Sequence, residues 1–165
     1  MEVPVVIEIL VLGFGATLAM DLWRLLLQKG FGVNSLDLGL LGRWVGYLFR
    51  GQLLHRPIGK STPLKGELAL GWISHYAIGL TFAALLPLLF GKSWLLSPTA
   101  LPALAIGLST VLAPWFIMQP AMGIGIAAAQ TPSPWRVRVR NLAIHTVYGL
   151  GLYGTAVILN LRKAL

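Results

Sequence analysis

Two histidines, His75 and His145, lie inside long apolar stretches, and each opens the pattern His-x-x-x-Gly-Leu, ending at Gly79-Leu80 and Gly149-Leu150. An ionisable side chain at membrane depth costs at least a few kcal/mol, so it normally faces a protein interior and has a role there. Residues four apart share a helix face. That rule aligns Gly13, Thr17 and Asp21 in one stretch, Gly71, His75 and Gly79 in a second, and Asn141, His145, Gly149 and Tyr153 in a third. Small residues let helices approach closely, so these faces read as interior ones. With Lys29, Glu67 and Arg140 as the margins of the spans, Asp21 and His75 lie ~12 Å in and His145 ~8 Å in, at 1.5 Å per residue. Asp21, His75 and His145 therefore share one layer, which Gln119 could join.

A carboxylate beside an imidazole raises its proton affinity, which suits a proton relay or a proton-coupled solute site. Two histidines and a carboxylate also suit a divalent metal. Two histidines alone can clamp a haem iron, although nothing nearby marks propionate binding. In the plainest alternatives the imidazoles only hydrogen-bond neighbouring helices, or Asp21 pairs with Arg24 near the headgroups. The cofactor stays open: none, a metal or haem. No nucleophile–base pair, Walker-type loop or histidine-rich metalloenzyme motif is visible, and Gly123-x-Gly125 follows no strand, so it is no dinucleotide fingerprint. No catalytic residue is assigned, and the chain reads as a binding or transport protein rather than an enzyme.

The elements that must position these groups follow from composition. The chain of 165 residues is 56% hydrophobic and only 11% charged, with a mean hydropathy of +0.77. Globular domains carry about 25% charged residues, so the solvent for this surface must be lipid. Four spans of the ~20 apolar residues that a ~30 Å core requires are predicted, at about 3–28, 66–90, 98–122 and 139–161, in one integral membrane domain over 1–165. The fold class is all-α and polytopic. From Pro98 to Ala129 the apolar run would make a straight helix of ~48 Å. It overshoots the core, and Pro114 and Pro120 offer kinks, so the third span is expected to break near Gln119-Pro120 and to continue as a re-entrant or interfacial piece to Thr131-Pro132-Ser133-Pro134. Gly15–Trp23 loosely echoes Gly107–Trp115, which with the paired histidine motifs suggests two helix pairs of parallel orientation.

The absence of cysteine removes disulfides and thiolate chemistry. A net charge of +8 does not mean nucleic acid, because the basic residues sit in the connections between spans, as the positive-inside rule expects. Arg24, Lys29, Arg43, Arg50, Arg56, Lys60, Lys65, Arg136, Arg138 and Arg140 fall on one side, against Lys92, Arg162 and Lys163 on the other. Both termini are therefore expected outside the cytoplasm, with Arg162-Lys163 as counter-evidence. The N-terminus has no basic n-region or cleavage site, so the first span reads as a retained helix. Glu8, alone in the outer part of that span, either snorkels to the surface or is protonated.

The first connection carries an amphipathic helix over about 35–50, with Asn34 or Ser35 as cap and a greasy stripe of Leu36, Leu40, Leu41, Trp44, Val45 and Leu48. It is expected to lie on the cytoplasmic interface. Gly39, Arg43, Gly46 and Arg50 share one face, so Arg43 and Arg50 could hold an anionic headgroup bidentately, or simply touch bulk anionic lipid. His55, in the loop that follows, reads as a solvated residue.

Gly42-Arg43-Trp44-Val45-Gly46, Gly71-Trp72-Ile73-Ser74-His75-Tyr76 and Met118-Gln119-Pro120-Ala121-Met122-Gly123, together with Thr131-Pro132 and Gly149-Leu150-Gly151-Leu152-Tyr153, cover nearly the whole chain. In combination they resemble a bacterial family of small inner-membrane proteins known only as a domain of unknown function. The resemblance implies a multi-pass protein of the bacterial inner membrane and carries no activity to any residue. The leading expectation is transport of a small solute or of protons around Asp21, His75, His145, Gln119 and Asn141. The rivals are a metal- or haem-binding oxidoreductase component, with His75, His145 and Asp21 as ligands, and an accessory subunit of a larger complex. Expected partners are the lipid bilayer and a second copy or another membrane subunit, with no nucleic acid.

Overall fold

The computed structural model describes residues 4–33 and 37–164. Among them there is no strand. Four helices are long and apolar enough to cross a membrane: Val5–Phe31, Glu67–Phe90, Ala100–Ala121 and Pro134–Arg162. The all-α expectation with four spans is met.

Helix α1 (Val5–Phe31) runs past its expected end because its first stop signal is Gly32. There the chain turns left-handed (φ 65°), and the N–H groups of Gly32 and Val33 bond back to Gln28 O and Leu27 O at 3.1 and 3.2 Å. Helix α2 (Leu38–Leu48) is capped by Asp37, whose Oδ1 accepts from the Gly39 N–H at 2.7 Å. The caps expected at Asn34 and Ser35 lie outside the described residues. Helix α3 (Glu67–Phe90) is followed by a single-turn α4 (Ser93–Leu96).

The third span breaks, and earlier than expected. Helix α5 (Ala100–Ser109) ends before Thr110, the chain widens into a π-type turn over Pro114–Met118, and a short α6 (Gln119–Ala121) follows. Pro114 has no N–H for the carbonyl four residues back and its ring crowds that position, so regular helix cannot continue through Thr110. Helix α7 (Pro134–Ala164) starts five residues ahead of the expected Val139. Proline suits a first helical position, where its N–H would be unsatisfied anyway. Arg136, Arg138 and Arg140 therefore sit in the opening turns of α7, not in a connecting loop.

Contacts divide the chain into two compact units. The first holds the residues up to Val33, Tyr76–Thr110 and Leu142 onward; the second holds the residues between Val33 and Tyr76 together with Val111–Asn141. In the first unit Leu12 and Ala16 of α1, Ala83 and Leu86 of α3, Ala103 and Ile106 of α5, and Tyr148 and Leu152 of α7 form one buried cluster. Gly107 brings α5 and α7 backbone to backbone: a Cβ there would lie 2.5 Å from Gly149 Cα and 2.7 Å from the His145 carbonyl.

In the second unit Leu38, Leu41 and Trp44 of α2 are buried with Ile58, Ala121 and Met122. Part of the stripe expected to rest on lipid is thus covered by protein. Gly42 permits the contact, because a Cβ there would collide with the Glu67 carbonyl and lie 2.5 Å from Gly71 N. The glycine face of α2 therefore serves a helix crossing.

Candidate functional site

The first unit holds Asp21 and His145. Asp21 Oδ1 accepts from Arg24 Nη1 at 2.9 Å, with the two side chains 12% and 19% exposed. One turn of helix brings such a pair together. The Asp21 carboxylate also meets the Tyr76 hydroxyl through a side-chain hydrogen bond. This is the pairing of Asp21 with Arg24 that was weighed as an alternative to a site.

His145 projects from α7 towards α5, where its Nδ1 lies 2.8 Å from Thr110 Oγ1. The Thr110 hydroxyl donates to the Gly107 carbonyl at 2.6 Å. One turn further along α7, the Tyr148 hydroxyl donates to the Gly79 carbonyl at 2.6 Å. Every buried donor made in this way needs its acceptor, so these bonds fix the ring orientations. Glu8, at 7% exposure, is buried and does not snorkel. It sits where α1 has packed its neighbours, Leu12 and Ala16, into the core.

The second unit holds His75, Gln119, Asn141, Arg43 and Arg50. His75 meets Trp72 edge to face, with ring centroids 6.3 Å apart and planes at 73°. Asn141 takes the amide orientation that satisfies its neighbours: its oxygen accepts from Gln119 Nε2 at 2.7 Å and Trp115 Nε1 at 3.1 Å, and its nitrogen donates to Val137 O at 3.1 Å. Gln119 is 4% exposed. Its amide nitrogen is committed to Asn141, while its Oε1 is buried with no hydrogen-bond partner in the protein. Few buried polar groups are left this way, and each asks for an explanation.

Around α2 the structure assembles a network that the sequence reading did not foresee. Arg43 places Nε and Nη2 on the two Glu67 carboxylate oxygens at 2.8 and 2.7 Å, and its Nη1 on the Ser61 carbonyl at 3.0 Å. The Glu67 carboxylate also accepts the Leu64 N–H at 2.8 Å. The guanidinium is held protonated beyond its ordinary strength by the hydrogen-bonded carboxylate. The fork that the sequence offered to a headgroup is thus filled by Glu67, because a planar guanidinium matches a carboxylate bidentately. Arg50 is exposed and lies over the Tyr47 ring, 5.7 Å from its centroid.

His55 corrects the expectation of a solvated loop histidine: it is 4% exposed. Its Nδ1 is 2.9 Å from Ser61 Oγ, its ring meets Tyr47 edge-on at 5.0 Å, and its Nε2 is buried with no hydrogen-bond partner in the protein. His55 and Ser61 were missed because a loop has no periodicity to betray what it packs on, and Glu67 and Trp115 because no spacing rule links them to Arg43 and Asn141. The one available signal was Gly39, Gly42 and Gly46 on a single face of α2 with Arg43 beside it, which asks for another helix rather than lipid.

Among the described residues no group of three or more histidine, cysteine, aspartate or glutamate side chains stands together as a metal ion would need. The metal reading of Asp21, His75 and His145 gains nothing from the fold.

No curated protein and no solved structure matches the chain. A family model described as a protein of unknown function, DUF2938, matches residues 10–159. The motifs quoted from α2, α3, the broken span and α7 all fall within that match, and this all-helical chain with four candidate spans belongs to the DUF2938 family.

Proposed function

We propose that the chain binds a small polar solute within the membrane and passes it across, with the Gln119 amide as the recognition group. The supporting observation is the buried Gln119 Oε1, which has no partner although its own amide nitrogen is held by Asn141. An unsatisfied buried carbonyl costs about 1–3 kcal/mol, and such a cost is retained where a ligand supplies the missing donor. Its place in an interrupted span agrees, because non-helical backbone at membrane depth is tolerated where it lines a cavity or is packed in protein.

Asp21 and His145 of the first unit and His75 of the second are assigned to proton coupling in this reading. The bacterial inner membrane, with both termini outside the cytoplasm, is the proposed location.

The test is osmotic swelling of proteoliposomes in a panel of small neutral and charged solutes, followed by light scattering. At least one solute should enter about tenfold faster than into protein-free vesicles, and Gln119→Leu should remove most of that gain. If no solute crosses faster than in empty vesicles, the proposal fails.

A further inference from the structure

Gln119 Oε1 and His55 Nε2 are among the buried polar atoms of the second unit that have no hydrogen-bond partner in the protein, and both residues are 4% exposed. They belong to segments that are stitched together. The His55 N–H donates to the Ala121 carbonyl at 2.8 Å, and the Ile58 N–H to the Met122 carbonyl at 2.9 Å. Gly123 fits beneath this seam, since a Cβ there would lie 3.0 Å from the carbonyl carbon of His55 and from Pro57 Cα. Gln119 is two residues before Ala121 in the same helical turn. Bond lengths and helical rise then keep the His55 and Gln119 Cα atoms within about 12 Å.

We propose that His55 and Gln119 bracket a single enclosed site for a small neutral molecule bearing both hydrogen-bond donors and acceptors, of the urea or simple amide class. This rests on the solute-handling reading and names its substrate class. The chemistry follows from what each side chain has left. Gln119 has given one amide N–H to Asn141, and its carbonyl oxygen is the atom left with no partner in the protein, so the ligand donates to it. His55 has Nδ1 engaged with Ser61, so Nε2 is the remaining atom, a donor or an acceptor according to the tautomer. A molecule with both kinds of group satisfies either tautomer.

The neighbouring ion pair offers a ligand no counter-charge. Arg43 and Glu67 neutralise each other, and Arg43 also holds the Ser61 carbonyl, which steadies the residue that holds the His55 ring. Neither charge is left over for a ligand, and an ion entering without a counter-charge bears its full desolvation cost. A site built to hydrogen-bond discriminates steeply against molecules lacking the matching group.

The experiment uses the full chain in proteoliposomes, with urea and acetamide as neutral probes and formate and methylammonium as charged probes of similar size. Urea and acetamide should enter about tenfold faster than into empty vesicles, while the ions gain nothing. His55→Phe and Gln119→Leu should each remove most of that gain, because both act on one site. His55→Gln, which keeps a polar nitrogen near the Nε2 position, should retain much of the rate and controls for folding. Loss of the gain in Gln119→Leu beside full urea and acetamide entry in His55→Phe overturns the shared site. Passage of formate or methylammonium but not of urea or acetamide overturns the substrate class and leaves solute handling standing. No passage of any probe, or of any solute in the wider panel, overturns both.

Discussion

His145 donates from Nδ1 to Thr110 Oγ1, because the one hydroxyl proton of Thr110 is committed to the Gly107 carbonyl. The contacts are 2.8 and 2.6 Å. A hydroxyl carries a single proton, so it cannot also donate to the imidazole. The neutral ring is thereby fixed as the Nδ1–H tautomer, with its basic lone pair on Nε2.

That assignment is measurable. Nitrogen-15 chemical shifts of His145 at neutral pH should report a protonated Nδ1, and an Nε2–H tautomer would refute the assignment. Thr110→Val keeps the volume and removes the acceptor, leaving a buried N–H. It should cost about 1–3 kcal/mol of stability, read as a lowered midpoint of thermal unfolding in detergent.

The Arg43–Glu67 pair predicts an asymmetry between substitutions. Glu67→Gln or Arg43→Leu strands a partly buried charge or its hydrogen-bonding partners and should cost about 2–4 kcal/mol. Arg43→Lys should not rescue, since an ammonium cannot span both carboxylate oxygens while reaching the Ser61 carbonyl. Chemical unfolding in mild detergent would show it. Equal stability of Arg43→Lys and the parent would mean that only the charge matters.

Two glycines of similar sequence context should behave in opposite ways. A Cβ at Gly42 would collide with the Glu67 carbonyl, whereas at Gly30, in the last turn of α1, nothing stands within 4 Å. Gly42→Ala should abolish a well-folded second unit, seen as aggregation on size exclusion. Gly30→Ala should be neutral or add up to about 1 kcal/mol, because alanine favours helix. If Gly42→Ala purifies like the parent, the α2–α3 crossing is wrong.

Gln119→Leu should separate stability from function. It removes a buried orphan oxygen but also one donor to Asn141, which keeps the bond from Trp115. The two effects offset, so the unfolding midpoint should move by less than about 1 kcal/mol equivalent, while solute passage falls about tenfold. A large loss of stability would make Gln119 a structural residue.

The spans and the two-proline interruption were legible because hydropathy and proline geometry are local properties. A run of twenty apolar residues has the same meaning wherever it sits. The early break at Pro114 and the early start of α7 at Pro134 came from the same residue type, whose effect reaches four positions back in one case and opens a helix in the other. The interior ladders were legible in kind as well: a Cβ at Gly13 would lie 2.7 Å from Leu80 Cα, and one at Gly149 2.9 Å from the Ala103 carbonyl.

Partner choice was not legible. Arg43 and Glu67 stand 24 residues apart, and His145 and Thr110 35 apart, so no spacing rule links them. The sequence by itself determined a membrane-borne, all-helical chain with a broken third span, because those follow from local periodicity and composition. Only the tertiary structure decided that Glu67 takes the Arg43 fork, that loop residue His55 is buried, and that Gln119 keeps one carbonyl unanswered. Each of those outcomes depends on which distant backbone arrives within hydrogen-bonding reach, and packing alone settles that.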